Sequence, residues 1–506
     1  MNFLPVWTER AEKRGLDPLG MQNSGVQLYQ SLLPGVSNVT LRVRYYGLYC
    51  WASEAFARHR HTTDQEKWVE WIRRLEALYA LIAEHQGGES GVAGVQWSTE
   101  ILAAGADPID FEEGASTNTE ARRYLKQRVG VFGQAYLSQM DELQLFDTVS
   151  AQNHMLPLRT VEAGLPLARA FAVAIGSNVE ALLIRCLDTP VVTRAELEQL
   201  ALALPARISV GVERDHYENL LFAQSAEPRV SDASRRDTLL LVLHVSKLLG
   251  RRPRSDDVRQ HLFEGVGKLP TSLEPQRLRW EAYQVQDMWQ MAAAALLSWA
   301  IDMTNDFVDG RSITEIHFEV AGRIRGHWPD RMSLDWNGLV ASSAMEDTEL
   351  EENVRTIGGK RESRDAKAVI AIEVMAALAK RLNTRPDLQA EVDRSFGLQS
   401  GGRSIRTEAL WLARQNEGDL ATVLANYVTQ RVVSRHNQIA MQKLRRQGDY
   451  TFLFEARDGR LVYRAQYDPV PTTPRLDPAI QFLVDIDLIG EKGLTDRGRG
   501  LLEAFQ

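Results

Sequence analysis

A mainly helical, multidomain fold with a small C-terminal β-hairpin is what this sequence predicts, and three observations predict it. Apolar residues recur at i, i+3, i+4 spacing through most of the chain, which is the period of an amphipathic helix. A clear strand signal occurs once: two β-rich runs, residues 450–455 and 460–464, flank Asp458-Gly459, a dipeptide favoured in two-residue hairpin turns. Two short segments, around Gly164 and Gly498, repeat one pattern of helix end, turn and helix start. The length of 506 residues exceeds one ordinary core and implies two to four domains.

Residues 21–33 read as a short helix that Pro34-Gly35 ends. Ser37 and Asn38 are candidate N-caps for a helix reaching about residue 60. Val39, Leu41, Val43, Tyr45, Tyr46, Leu48, Tyr49, Trp51 and Phe56 wrap most of it, with Arg42 and Arg44 inside that apolar surround. A guanidinium there needs a carboxylate or a phosphate, because burying it unpaired is costly, and a structural ion pair is the expectation. Arg58-His59-Arg60-His61 reads as a solvated, basic helix end. Thr63 and Asp64 cap the next helix, whose inner face carries Trp68, Ile72, Leu75, Leu78, Leu81 and Ile82. Gly87-Gly88-Glu89-Ser90-Gly91 breaks the pattern, residues 105–118 form an acidic loop, and helices resume over 119–143.

The first repeated segment follows. Leu145-Phe146 ends a helix, a turn runs through Asn153 to Met155, and Gly164, Leu167, Ala170 and Phe171 open the next helix. Near the C-terminus Leu488-Ile489 precedes Thr495, and Gly498, Leu501, Ala504 and Phe505 match that opening, with Val161 standing where Thr495 does. These segments resemble the wing and closing helix of winged-helix domains, so two winged-helix-like modules are expected.

Residues 235–249 make a strongly apolar helix that stops at Gly250-Arg251-Arg252-Pro253-Arg254, and Ser255 caps a second helix reaching Phe263. Some αα-hairpins of this kind read DNA, which makes Arg251, Arg252 and Arg254 candidate phosphate contacts. Trp280, Tyr283, Trp289, Leu296, Leu297 and Trp299 mark residues 278–303 as a buried bundle core. Residues 342–364, rich in Asp and Glu, read as a linker or mobile loop, and helices over 365–382 and 387–396 lead to the Ser400-Gly401-Gly402 break. The pattern breaks divide the chain into segments 1–118, 119–192, 193–341, 342–415 and 416–506.

The helix over 419–447 carries the main candidate site. At 100° per residue Leu420, Leu424 and Tyr427 share a stripe that continues as Arg431, Arg435, Gln438, Gln442 and Arg446. A helix whose apolar face turns basic suits an exit from a core toward phosphate or an acidic partner. His436 and Lys443 add positive potential beside the stripe.

The formal net charge of -8 removes general attraction to nucleic acid, so any DNA contact must use such local patches. No run approaches the ~18 apolar residues of a membrane span, and Met1-Asn2-Phe3-Leu4-Pro5-Val6-Trp7 has no basic region leading into an apolar core. Two cysteines, Cys50 and Cys186, lie in apolar helical patterns and read as buried free thiols, in keeping with a reducing cytoplasm. No motif for metal, nucleotide or nucleophilic catalysis occurs: Gly358-Gly359-Lys360 lacks the upstream glycine and the Ser/Thr of a phosphate loop. The cluster of Glu213, Asp215, His216 and Glu218 reads as a solvated helix face rather than a metal site, and no cofactor is expected.

Leu33-Pro34-Gly35-Val36-Ser37-Asn38-Val39-Thr40, continuing to Arg44-Tyr45-Tyr46, is similar to the start of uncharacterised bacterial proteins of anti-phage defence gene clusters. A looser likeness covers residues 436–505. The resemblance implies a setting and assigns no residue a role. The expectation is a non-enzymatic DNA-binding or complex-assembling subunit of a multi-protein bacterial system, with DNA and other subunits of its operon as partners. A scaffold without DNA binding, a transcription regulator and a divergent nuclease component are the alternatives.

Overall fold

Helical periodicity carries through to the computed structural model, which is mainly helical, with 67% helix against 5% strand. It describes residues 17–148, 156–223, 228–265, 267, 269–397, 403–415 and 418–505. The Ser400-Gly401-Gly402 break, the turn through Asn153 and Met155, and the first 16 residues lie outside these. Among the described residues no single helix is long and apolar enough to cross a membrane. The chain divides into two units, each discontinuous in sequence.

One unit comprises Gln30–His261, Val266–Arg277 and Pro474–Gln506. Its centre is the helix Arg44–Arg60, buried along its first three turns. This helix starts later than Ser37 and Asn38 suggested. The Ser37 N–H binds Thr40 Oγ1 at 2.7 Å and the Thr40 N–H binds the Ser37 carbonyl at 3.2 Å, so the candidate caps close a turn instead. Helix Gln65–His85 begins as expected, its first N–H groups accepted by Asp64.

The stretch expected to be helical over 119–143 is irregular to residue 129; it turns helical at Gly130, and a π-helical turn from Phe132 leads into helix Leu137–Glu142. Glu76, fully buried, accepts the Val131 and Phe132 N–H groups at 2.7 and 2.8 Å and the hydroxyls of Tyr124 and Tyr49 at 2.6 and 2.9 Å. A carboxylate from a distant helix thus caps this one, a pairing that local pattern does not reveal.

The two repeated segments adopt the same architecture in this unit. Helix Leu137–Glu142, an antiparallel pair Phe146–Asp147 with Leu158–Arg159, and helix Gly164–Ile175 make the first. Helix Leu476–Asp485, Ile489–Gly490 paired with Gly493–Leu494, and helix Asp496–Ala504 make the second. The correspondence extends to single hydrogen bonds. Gln144 and Asp487 both take left-handed backbone, at φ 56° and 63°. Thr160 and Thr495 each donate a hydroxyl to that residue's carbonyl at 2.6 Å and accept the Gly164 or Gly498 N–H at 3.0 Å. The residue equivalent to Thr495 is therefore Thr160 rather than Val161; the first copy holds one more residue before its glycine.

Both glycines are dictated by close approach. A Cβ at Gly164 or Gly498 would overlap the backbone carbonyl of Leu145 or Leu488 respectively. Gly500, two residues on in the same helix, faces open space. Gly498→Ala is expected to cost about 1–3 kcal/mol through overpacking against backbone, while Gly500→Ala gains up to about 1 kcal/mol from helix propensity. Melting temperatures that move in the same direction in both variants would refute the close-packing account.

The second unit comprises Met1–Tyr29, Leu262–Gly265 and Leu278–Thr473. Most of the helix Glu274–Asn305, from residue 278, lies in it and is buried over residues 280–301, with Tyr283, Trp289, Leu296, Leu297 and Trp299 in the core as expected. Its buried polar groups are tied down. Glu281 takes Arg381 at 2.7 Å, Asp287 takes the Thr472 N–H and hydroxyl, and Gln286 accepts the Ile405 N–H. The acidic stretch read as a linker holds instead a helix, Asp347–Gly358, which buries Leu350 and Ile357 and places Asp347 and Glu349 in its first turn. Acidic residues there favour the helix dipole, so charge density marked a helix start, not disorder.

The hairpin forms over Phe454–Arg457 and Arg460–Tyr463, with Asp458 and Gly459 both at positive φ as a type I′ turn requires. Arg311–Ser312 adds a third strand beside Arg460–Tyr463, too short to leave a periodic signal. Residues 450–453, expected in the first strand, precede it; the Leu453 N–H is taken by His436 Nε2 at 3.0 Å, and its carbonyl accepts the Arg464 and Ala465 N–H groups at 3.1 Å.

Candidate functional site

The buried arginines resolve as structural. Arg42 lies against Asp485 at 3.0 Å and Glu89 at 2.6 Å. Arg44 forks onto Glu213, both contacts at 2.9 Å, and donates to the Leu202 and Leu204 carbonyls at 2.6 and 2.7 Å. Burial opposes the Arg44 charge, and Glu213 more than offsets it, holding the guanidinium above its ordinary pKa. Glu213 is thereby removed from the acid/His cluster, and Asp215 and Glu218 both take Arg497 at 2.8 Å. That helix face is an ion-paired surface rather than a freely solvated one, and no group of metal-binding side chains occurs among the described residues.

The basic turn of the αα-hairpin is partly neutralised. Arg251 forks onto Asp257 at 2.8 and 2.9 Å, and this bond holds the Asp257 carboxyl down to about 2. Arg252 donates to Gln481 at 2.8 Å, while Arg254 is 80% exposed and the most available of the three to an outside phosphate. The second module does not offer its first helix to a DNA groove. Within Leu476–Asp485 only Asp477 is exposed; Phe482 packs edge-on to Tyr46, and Asp485 belongs to the Arg42 pair. A recognition helix needs an open face for base edges.

The stripe from Arg431 to Arg446 does not form one exposed strip, and the backbone explains why. Residues Tyr427–Val433 are π-helical, with a wider turn than the 100° step assumes, and the α-helix restarts at Ser434. Arg431 consequently turns in to Glu408, with its side chain 21% exposed, and Arg435 donates Nε to the Leu19 carbonyl at 3.0 Å. Gln438, Gln442 and Arg446 remain exposed. His436 adds no charge: it is buried, Nδ1 lies 3.1 Å from the Pro18 carbonyl, and burial pushes the imidazole down to about 4. Lys443 Nζ donates to the Asp17 carbonyl at 3.0 Å.

Sequence reasoning missed a cleft of about 570 Å³ along helix Ile313–His327. Phe307, Phe318 and Gly322 give it apolar walls, and Arg311, Arg323 and Arg460 stand around them. Each arginine already faces a carboxylate: Arg460 meets Glu315 at 3.1 Å, Arg323 meets Glu319 at 2.8 Å, and Arg311 meets Glu319 at 3.3 Å. The most exposed elements are apolar, with Phe318 69% and the adjoining Val308 97% exposed. The signal was Phe307-Val308 set in a turn between Asp306 and Asp309-Gly310, where polar residues are the rule. The two cysteines are buried and free, and burial raises the Cys186 thiol to about 11.

Comparison with protein-family models, curated proteins and solved structures finds no match.

Proposed function

We propose that this chain is a non-enzymatic, complex-assembling subunit of a multi-protein bacterial system, with anti-phage defence the setting its N-terminal resemblance suggests. The observation that carries the reading is the exposed face of helix Ile313–His327 with Phe318, Gly322 and the Phe307-Val308 turn. Exposed aromatic side chains beside arginine are the composition of interface anchors. Gly322 and Gly326 support it: each costs the helix about 1 kcal/mol relative to Ala, and a Cβ at either meets open space, so nothing among the described residues requires them.

Co-expression with the products of adjacent genes tests the reading. Phe318→Asp is expected to abolish a co-purifying partner while leaving the melting curve unchanged, because the side chain is solvent-facing. Retention of every partner by this variant would sink the proposal. DNA contact is a second reading, favoured by the exposed Gln438, Gln442 and Arg446 on one helix. It requires affinity that falls with added salt, the log–log slope shrinking by about 0.9 for each phosphate contact removed.

A further inference from the structure

We propose that Arg403, Arg431 and Arg435 form a binding site for a phosphate-class oxyanion. Arg44 has its own acid in Glu213, Arg42 has Asp485 and Glu89, and the buried Arg73 spends its donors on the Ala115, Leu125 and Gln127 carbonyls. Here three guanidiniums gather about one buried carboxylate, Glu408. Arg431 takes it through Nε and Nη2. Arg403 Nε is 3.9 Å from Glu408 and its Nη1 donates to the Arg431 carbonyl at 2.6 Å. Arg435 acts on both neighbours and spends Nε on the Leu19 carbonyl. Asp17 is a further carboxylate acting on Arg435 and on Lys443, and Asp449 also acts on Lys443. Four half-buried cations therefore face three carboxylates, and three of the four gather on Glu408 alone.

Burial lowers the pKa of Arg403 and Arg435; Arg431 and Arg435 lower that of Arg403 further, and Arg431 that of Arg435. Like charges held this close are costly unless an anion joins them. Donors for one are available. Arg403 Nη2, Arg431 Nη1 and both Nη atoms of Arg435 have no acceptor among the described residues, and none of them is a buried unsatisfied atom. Planar guanidinium forks suit the oxygens of a phosphate more than a point charge does. The site is independent of docking on helix Ile313–His327.

A small phosphate and a nucleic-acid backbone share this chemistry, and two probes separate them: pyrophosphate by titration calorimetry, and a labelled thymidine oligonucleotide by anisotropy, both on the full chain. At least one is expected to bind wild type and to lose affinity about tenfold or more in Arg403→Gln and in Arg435→Gln. Arg446→Gln, outside the cluster, is expected to keep pyrophosphate binding. Pyrophosphate binding alone assigns the site to a small phosphate, and displacement of the oligonucleotide by pyrophosphate assigns it to the backbone diester. Arg435→Lys keeps the charge and removes the fork, so it folds with the cluster intact and still binds more weakly than wild type. The proposal is overturned if neither probe binds wild type, or if Arg403→Gln and Arg435→Lys bind as wild type does.

Discussion

Arg44→Met is expected to destabilise its unit by about 3–5 kcal/mol, because it leaves the Glu213 charge buried without a counter-ion. Both side chains are essentially inaccessible, at 0% and 1% exposure, so water cannot replace the lost partner. In a unit of this size the loss corresponds to about 10 °C in melting temperature. The exposed pair Arg58–Glu180, with Arg58 49% exposed, is the control: Arg58→Met is expected to cost under about 1 kcal/mol. The double change Arg44→Met with Glu213→Leu is expected to recover much of the loss, since an apolar pair avoids the desolvation of two charges. Thermal melts of the three variants check this. Equal stability of Arg44→Met and wild type would mean that Glu213 has another partner or is neutral in the fold.

Acid sensitivity centred on His436 is the second large effect. Its imidazole is neutral in the fold, receiving the Leu453 N–H on Nε2 and presenting Nδ1 to the Pro18 carbonyl, with Lys443 opposing a positive charge. The folded value near 4 lies below the ordinary 6.5, so the unfolded chain binds the proton more readily between them. The stabilising contribution is fully present above pH 6.5, falls as the pH drops toward 4, and declines no further once both states are protonated. It amounts to about 3 kcal/mol. Stability measured from pH 7 to pH 4 is expected to fall more steeply in wild type than in His436→Gln, which cannot take up that proton. Parallel slopes, or an imidazole titrating near pH 6.5, would place His436 in contact with solvent.

Much of the core and little of the site was legible beforehand. The Trp-rich helix, the buried Arg42 and Arg44, the hairpin at Asp458-Gly459 and the repeated segments all rest on local information. Helical period, a charge inside an apolar surround, and turn residues needing positive φ each act over a few neighbours. The basic stripe failed at one local departure, the π-helical turn at Tyr427–Val433, which no residue pattern announced and which turned Arg431 toward Glu408. The acidic stretch 342–364 failed in the opposite sense, because its charges favour a helix N-terminus as well as a loop.

The sequence by itself therefore determined the fold class, the membership of the main core helices and the need for partners at Arg42 and Arg44. Those properties follow from burial and backbone preference, which each residue carries with it. Only the tertiary structure decided which carboxylates those partners are, that the Leu476–Asp485 helix faces inward, and that Arg403 joins Arg431 and Arg435. Those are contacts between residues 28 to 443 positions apart, and they arise when packed helices bring side chains together that no local pattern relates.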